Sequence, residues 1–135
     1  MDTLIANKFV TVTYTPDLKL LTYKWTGIVN FELGIEAFKK TMSFLQTHPC
    51  YFVLHDATEM IGTFTKLNDF MSKEVALNFE KHGGKRSALV ISSDVFSVFA
   101  INQYLKVVKT NNVEIKLFRS IDSAMEWLKE KMLVE

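Results

Sequence analysis

Residues 51–56 read YFVLHD, an apolar run that ends abruptly in two titratable side chains, His55 and Asp56. A continuous apolar run of this length is typical of a strand that is buried on both faces, as in parallel sheets covered by helices. In such sheets, ligands bind just beyond the carboxyl ends of the strands. The run therefore predicts that the working edge of the molecule lies at His55, Asp56 and the segment after them.

The residues before this run predict a β-hairpin and then a helix. Hydrophobic and polar residues alternate over residues 9–15 and again over 21–26, and Pro16 begins the turn between them. From Asn30, a residue suited to cap a helix, hydrophobic residues recur at helical spacing until Pro49. The hairpin is thus predicted to have one face in water, and the helix to bury one stripe.

The residues after the run continue the alternation of strands and helices. The predicted elements are a loop at 57–65, a helix at about 66–81, a strand at 87–91, a helix capped by Asp94, a strand at 113–118 and a helix capped by Ser120. This ββαβαβαβα order predicts an α/β fold with a five-stranded, mixed, mostly parallel sheet, an N-terminal β-hairpin and four helices. Because nothing resembles a linker or a repeat, we expect one domain over residues 1–135.

Composition narrows the class of protein. Because apolar residues make up 48% of the chain, a packed globule is expected. Because the formal net charge is only +1, nucleic acid is not a predicted partner. No window is apolar enough for a membrane span and the N-terminus does not resemble a signal peptide. The lone cysteine, Cys50, opens the apolar strand and is expected to be a buried hydrophobe. We expect a soluble, cytoplasmic protein that is not integral to a membrane.

No pattern of residues predicts catalysis, a cofactor or a metal site, so no enzyme is expected. His55 and Asp56 are adjacent in a strand and point to opposite faces, which prevents them from acting as a pair. His48, His82 and Cys50 lie in separate segments without the spacing of metal ligands. We expect His55 to be a core histidine that is hydrogen-bonded, and Asp56 either to cap the next turn or to act in binding.

Several short motifs give the chain a family resemblance. They are Trp25-Thr26-Gly27, the apolar strand that ends in Asp56, GKRSA at 84–88 and AMEWL at 124–128. With the order of elements, they resemble the SpoIIAA-like or STAS domains, named for sulfate transporters and anti-sigma-factor antagonists, and in particular an uncharacterised branch of that family. The likeness covers about residues 8–131, and it implies strands laid down in sequence order.

The resemblance also draws attention to the segment after Asp56. In the antagonist proteins this loop carries an Asp-Ser pair, and a partner kinase phosphorylates the serine. Here residues 56–65 read DATEMIGTFT, with no serine and no Asp directly before a hydroxyl residue, so the phospho-switch motif is absent. Thr58, Thr63 and Thr65 remain as hydroxyl groups that could accept a phosphate.

The predicted loop at 57–65 is the candidate interaction site. Its candidate residues are Asp56, Thr58, Met60, Ile61, Thr63 and Phe64. Apolar side chains in a loop need burial or a partner, so Met60, Ile61 and Phe64 either dock another protein, cover a cleft or fold back onto the core. The chain is therefore interpreted as a non-enzymatic regulatory or protein-binding module.

The alternative is a binding domain for a small hydrophobic ligand such as a lipid, which would be held in a cleft under Met60 and Phe64. SpoIIAA-like domains also resemble CRAL-TRIO lipid carriers in fold.

Two weaker features complete the expectations. Lys85 and Arg86 follow two glycines and form a weak anion-binding candidate, although the glycines equally serve to end the preceding helix. The first and last strands would be sheet edges that Lys8 and Lys116 protect only modestly, so a homodimer is possible.

Overall fold

The computed structural model describes residues 2–62, 65–91 and 95–132, and within them it shows one six-stranded mixed sheet. The strands are β1 (Asp2–Ala6), β2 (Val10–Thr15), β3 (Leu20–Ile28), β4 (Phe52–Ile61), β5 (Arg86–Val90) and β6 (Glu114–Phe118). They lie in sequence order, with β1, β2 and β3 antiparallel and β3 to β6 parallel. The α/β class and the antiparallel edge are thus confirmed, with six strands in place of five.

The helices follow the four parallel strands. They are α1 (Phe31–Leu45), α2 (Thr65–Phe70), which continues through a π-helical turn (Met71–Val75) into α3 (Ala76–Lys81), then α4 (Val95–Val107) and α5 (Ile121–Met132). Asn30 caps α1 by accepting a hydrogen bond from the Leu33 N–H at 2.9 Å, and Ser120 caps α5 through the Ser123 N–H at 3.1 Å. Both caps were predicted; the predicted cap Asp94 lies outside the described residues. Across the described residues, no helix combines the length and hydrophobicity needed to cross a membrane.

The sheet separates two hydrophobic layers of unequal size. The larger layer packs α1, α2, α3 and α4 on one face, with Tyr23 and Val53 from the sheet beneath Phe38 and Leu67. The smaller layer packs α5 alone on the other face. Its buried members are Leu20, Phe52, Leu54, Ala88, Val90, Ala124 and Leu128. Among the described residues, α5 packs on β4, β5 and β6, and mainly on β5.

Two strands differ from the sequence-based expectation, and a bulge accounts for each. In β1 the register shifts between Thr3 and Ile5, which breaks the alternation that identifies a strand. In β4 the register with β3 shifts between Lys24 and Thr26, and the strand continues from Asp56 to Ile61. The prediction of a loop at 57–65 is therefore wrong for residues 57–61, and the predicted strand end at Asp56 is five residues too early.

Candidate functional site

The carboxyl ends of β3 and β4 carry a pair of exposed isoleucines. Ile28 and Ile61 are partners in the parallel ladder, with 66% and 55% of their surfaces exposed. Partnered residues of parallel strands project from the same face of the sheet, so the two side chains form a continuous apolar surface. We call Ile28 and Ile61 the isoleucine patch; it lies at the end of the sheet where parallel α/β folds bind their ligands.

The chain around the patch turns sharply at two points. After Ile28, two residues lead into α1, whose first residue, Phe31, is also exposed. After Ile61, Gly62 takes a φ of +82°, a conformation that residues with a Cβ rarely adopt, and the chain leaves the strand there. Phe31 is thus a third exposed large apolar residue, three positions after Ile28 in the chain.

Polar side chains border the patch on β3 and β4. The Asp56 carboxylate accepts hydrogen bonds from the Thr58 N–H at 3.1 Å and from the Thr58 hydroxyl at 2.6 Å. One residue further along, Glu59 forms an ion pair with Lys24 on the neighbouring strand at 2.7 Å. These hydrogen bonds stabilise the bulge of β4. The sequence predicts two alternative roles for Asp56, capping the next turn or binding, and the hydrogen bonds to Thr58 correspond to the first.

The structure divides the candidate interaction residues into three groups. Asp56 and Thr58 lie at the bulge, Ile61 is exposed in the patch, and Met60 is buried with only 3% of its surface exposed. Thr63 and Phe64 lie outside the described residues. Met60 therefore folds onto the core beside Trp25 and Leu67, and of the two described apolar candidates only Ile61 is available to a partner.

His55 is the buried polar residue beneath this edge. Its Nδ1 accepts a hydrogen bond from the Trp25 indole N–H at 3.2 Å, and its ring stacks on Tyr23 with the ring centroids 4.5 Å apart. Burial lowers the pKa of His55 to about 3, because the charged ring would lose its hydration. His55 is therefore neutral at physiological pH and faces the larger helical layer, as predicted for a core histidine.

The basic pair at the other end of the sheet is engaged within the fold. Arg86 donates to the Trp127 carbonyl at 2.6 Å and forms ion pairs with Glu114 and Glu130, each at 3.0 Å. Its guanidinium also lies 4.4 Å from the centroid of the Trp127 ring. Arg86 thus ties α5 to the sheet. Because two carboxylates already neutralise its charge, the predicted anion site would have to depend on Lys85.

The remaining titratable groups are not gathered into a reactive cluster in the described part of the chain. Cys50 is buried, as expected, and burial raises the pKa of its thiol to about 12, which keeps it protonated and unreactive. Within residues 2–62, 65–91 and 95–132, no three His, Cys, Asp or Glu side chains are arranged to hold a metal ion.

Sequence reasoning pointed to the carboxyl end of β4 but did not include two large apolar residues that are exposed in the structure. Ile28 and Phe31 follow Gly27 at the end of the second hairpin strand, where a single sequence gives no indication that Ile28 lies beside Ile61. The available signal was two large apolar residues on either side of a predicted helix cap at Asn30. That signal is weak, because apolar residues before a cap more often pack against the helix.

Comparison with known proteins finds a likeness in a solved structure but none in a family model or a curated protein. No family model matches the chain, and no curated protein matches it. The chain is similar to an uncharacterised protein of the DUF3478 family from Shewanella loihica PV-4, whose solved structure has a SpoIIAA-like fold. The two are 17% identical, the alignment covers 92% of this chain and 98% of that chain, and the TM-score is 0.49.

Proposed function

We propose that this protein is a non-enzymatic, cytoplasmic binding module that recognises another protein through the isoleucine patch. One observation supports the proposal above all others: Ile28 and Ile61 are adjacent in the ladder and exposed at the carboxyl ends of their strands, where parallel α/β sheets commonly bind ligands. Contiguous apolar surface costs solubility, and on natural proteins it is commonly a site of interaction. A partner would bury both side chains together.

The surroundings of the patch fit a protein partner better than a small molecule. The patch lies on the outer surface of the strand ends and is bordered by polar groups, namely Asp56, Thr58 and the Lys24–Glu59 ion pair. An apolar centre with a polar rim is the usual anatomy of a protein interface. Thr58 is an exposed hydroxyl at this rim, and a phosphate there would add negative charge beside Asp56 and Glu59, which would oppose binding of an acidic partner.

The proposal predicts a selective loss of binding in an Ile28→Ser, Ile61→Ser double variant. Because buried apolar anchors supply most of the affinity of an interface, binding to the partner should weaken at least about tenfold. The thermal unfolding midpoint should stay near that of the wild type, since both side chains are exposed. Partners captured by the wild type from its own cells would be identified and titrated against each variant.

The matched control is a Leu77→Ser, Val107→Ser double variant. These side chains are also large, apolar and exposed, but they lie on α3 and α4. The control should bind the same partner with wild-type affinity. Retention of that partner by the patch variant, with loss in the control, would place the interface on the helices and contradict the proposal.

A further inference from the structure

The sheet ends in two edge strands, β1 and β6, and the two edges differ in regularity. Among the described residues, each of these strands pairs with a neighbour on one side only. The pairing of β1 is interrupted by the bulge between Thr3 and Ile5, and bulges protect an edge against pairing with another chain. The pairing of β6 with β5 runs without a shift from Glu114 to Phe118. Of the two edges, β6 therefore keeps the regular backbone that a further strand needs.

The backbone of β6 directs Ile115 and Leu117 to the open edge. The Glu114 N–H donates to the carbonyl of the residue just before β5 at 3.0 Å, and the Phe118 carbonyl accepts from the N–H of the residue just after β5 at 3.1 Å. Glu114 and Phe118 thus face β5. Because the N–H and C=O groups of successive residues in a strand point to alternate sides, those of Ile115 and Leu117 point away from β5.

The side chains of β6 differ in chemistry between the two faces of the strand. Val113, Ile115 and Leu117 pack in the larger hydrophobic layer, and the last two are only half-buried. Glu114 and Lys116 alternate with them, so they lie on the opposite face, and both are exposed. The edge therefore presents an apolar row on one face, and an acid and a base two residues apart on the other.

This pattern is complementary to itself in one antiparallel register. With Ile115 opposite Ile115 of a second copy, Glu114 of each copy lies opposite Lys116 of the other. A shift of two residues in either direction places two Glu114 or two Lys116 side chains opposite each other, which is unfavourable for like charges. A shift of one residue exchanges the faces of the added strand. Glu114 also pairs with Arg86 but keeps 53% of its side chain exposed, so a second cation can approach it.

We propose that this protein forms a homodimer in which β6 pairs antiparallel with β6 of a second copy, with Ile115 on the twofold axis. The two Ile115 residues exchange two backbone hydrogen bonds, and the Leu117 N–H of each copy donates to the Val113 carbonyl of the other. That carbonyl accepts from the Thr110 hydroxyl at 2.8 Å and keeps a second lone pair for this bond. The dimer does not depend on the isoleucine patch. Because the paired strands are antiparallel, the two patches lie at opposite ends of the joined sheet.

Sedimentation equilibrium of the purified chain tests the self-association. Because one short strand edge buries less surface than a standard interface, we expect a weak dimer with a Kd on the order of tens of micromolar. Glu114→Lys and Lys116→Glu each place like charges opposite each other twice in the dimer, so each should weaken self-association at least about tenfold. The double variant Glu114→Lys, Lys116→Glu exchanges the charges and should restore the dimer. Circular dichroism melting checks that each variant is folded.

Engineered cysteines test the register and do not rely on the charge variants. Glu114 and Lys116 of the second copy form a non-hydrogen-bonded pair, in which the Cα atoms lie about 4.5 Å apart, within the range of a disulfide. A mixture of Glu114→Cys and Lys116→Cys should therefore form a mixed disulfide on oxidation with oxidised glutathione. Each variant alone should stay uncrosslinked, since Cys50 is buried.

Three results would overturn the proposal. The first is a wild type that remains monomeric at several hundred micromolar. The second is a folded charge-exchanged double variant that associates no more than the single variants do. The third is a cysteine variant that crosslinks with itself as readily as with the other variant, because that result would require a different register.

Discussion

Replacing Phe38 with Ala should lower the free energy of unfolding by about 3–5 kcal/mol, the cost of removing a large core side chain and leaving a cavity. Phe38 on α1 is fully buried, and its ring lies 5.4 Å from the ring of Tyr23 and 5.5 Å from that of Trp25, measured between centroids. Phe38 therefore packs α1 against the centre of the sheet. Urea unfolding followed by circular dichroism measures the loss, as a lower midpoint with an unchanged slope.

Phe31→Ala is the matched control for this substitution. It removes the same side chain from the same helix, but Phe31 is 43% exposed at the first turn. Its effect should stay within about 0.5 kcal/mol of the wild type, as for most surface substitutions. Equal losses in the two variants, or a Phe38→Ala midpoint near that of the wild type, would show that α1 packs through a different face.

Substitutions at the adjacent positions 60 and 61 should have opposite outcomes. Met60→Ser should lower the free energy of unfolding by about 2–5 kcal/mol, because it empties part of the core and brings a hydroxyl group into an apolar cavity. Ile61→Ser should change it by no more than about 0.5 kcal/mol, since the side chain already faces water. The same urea titration measures both values.

This contrast tests the register of β4 directly. A shift of one residue would exchange the two faces of the strand, so that Ile61 entered the core and Met60 faced solvent. A large loss in Ile61→Ser together with a small loss in Met60→Ser would therefore contradict the strand as described. Tyr51→Ser provides a reference for a half-buried position just before the same strand.

Much of the fold could be predicted because local patterns and global packing agree. The period of two over 9–15 marks β2, the helical period after Asn30 marks α1, and the caps at Asn30 and Ser120 are confirmed by hydrogen bonds. The buried positions Val53 and Val90 follow from apolar runs on strands covered on both faces. Trp127 on α5 is half-buried, with the Arg86 guanidinium 4.4 Å from its ring centroid.

The two strand segments that were missed, β1 and the second half of β4, contain bulges, which cannot be detected from the period of the hydrophobic pattern. A bulge adds one residue and reverses the alternation of faces, so the hydrophobic pattern of β1 and of the second half of β4 looked irregular. In β4 the polar residues Asp56, Thr58 and Glu59 also resembled a loop. Their side chains are in fact used within the strand, in the Asp56–Thr58 hydrogen bonds and the Lys24–Glu59 ion pair.

Of the described apolar residues in the candidate interaction site, Ile61 is exposed and Met60 is buried. Ile61 follows from the rule that ligands bind beyond the carboxyl ends of parallel strands. Its neighbour Ile28 comes from a strand 33 positions earlier, and only the parallel register of β3 with β4 brings the two together. Likewise, the hydrogen bond from Trp25 to His55 is a long-range contact that sequence spacing does not reveal.

Site-specific photo-crosslinking tests the proposed interface most directly. A photoactivatable phenylalanine analogue would replace Ile61 in one variant and the exposed Leu77 in another, each expressed in the protein's own cells. The account predicts that the partner retained by wild-type protein becomes covalently attached at position 61 and not at position 77. Attachment at position 77 with none at position 61 would contradict the claim that the carboxyl ends of β3 and β4 form the binding surface.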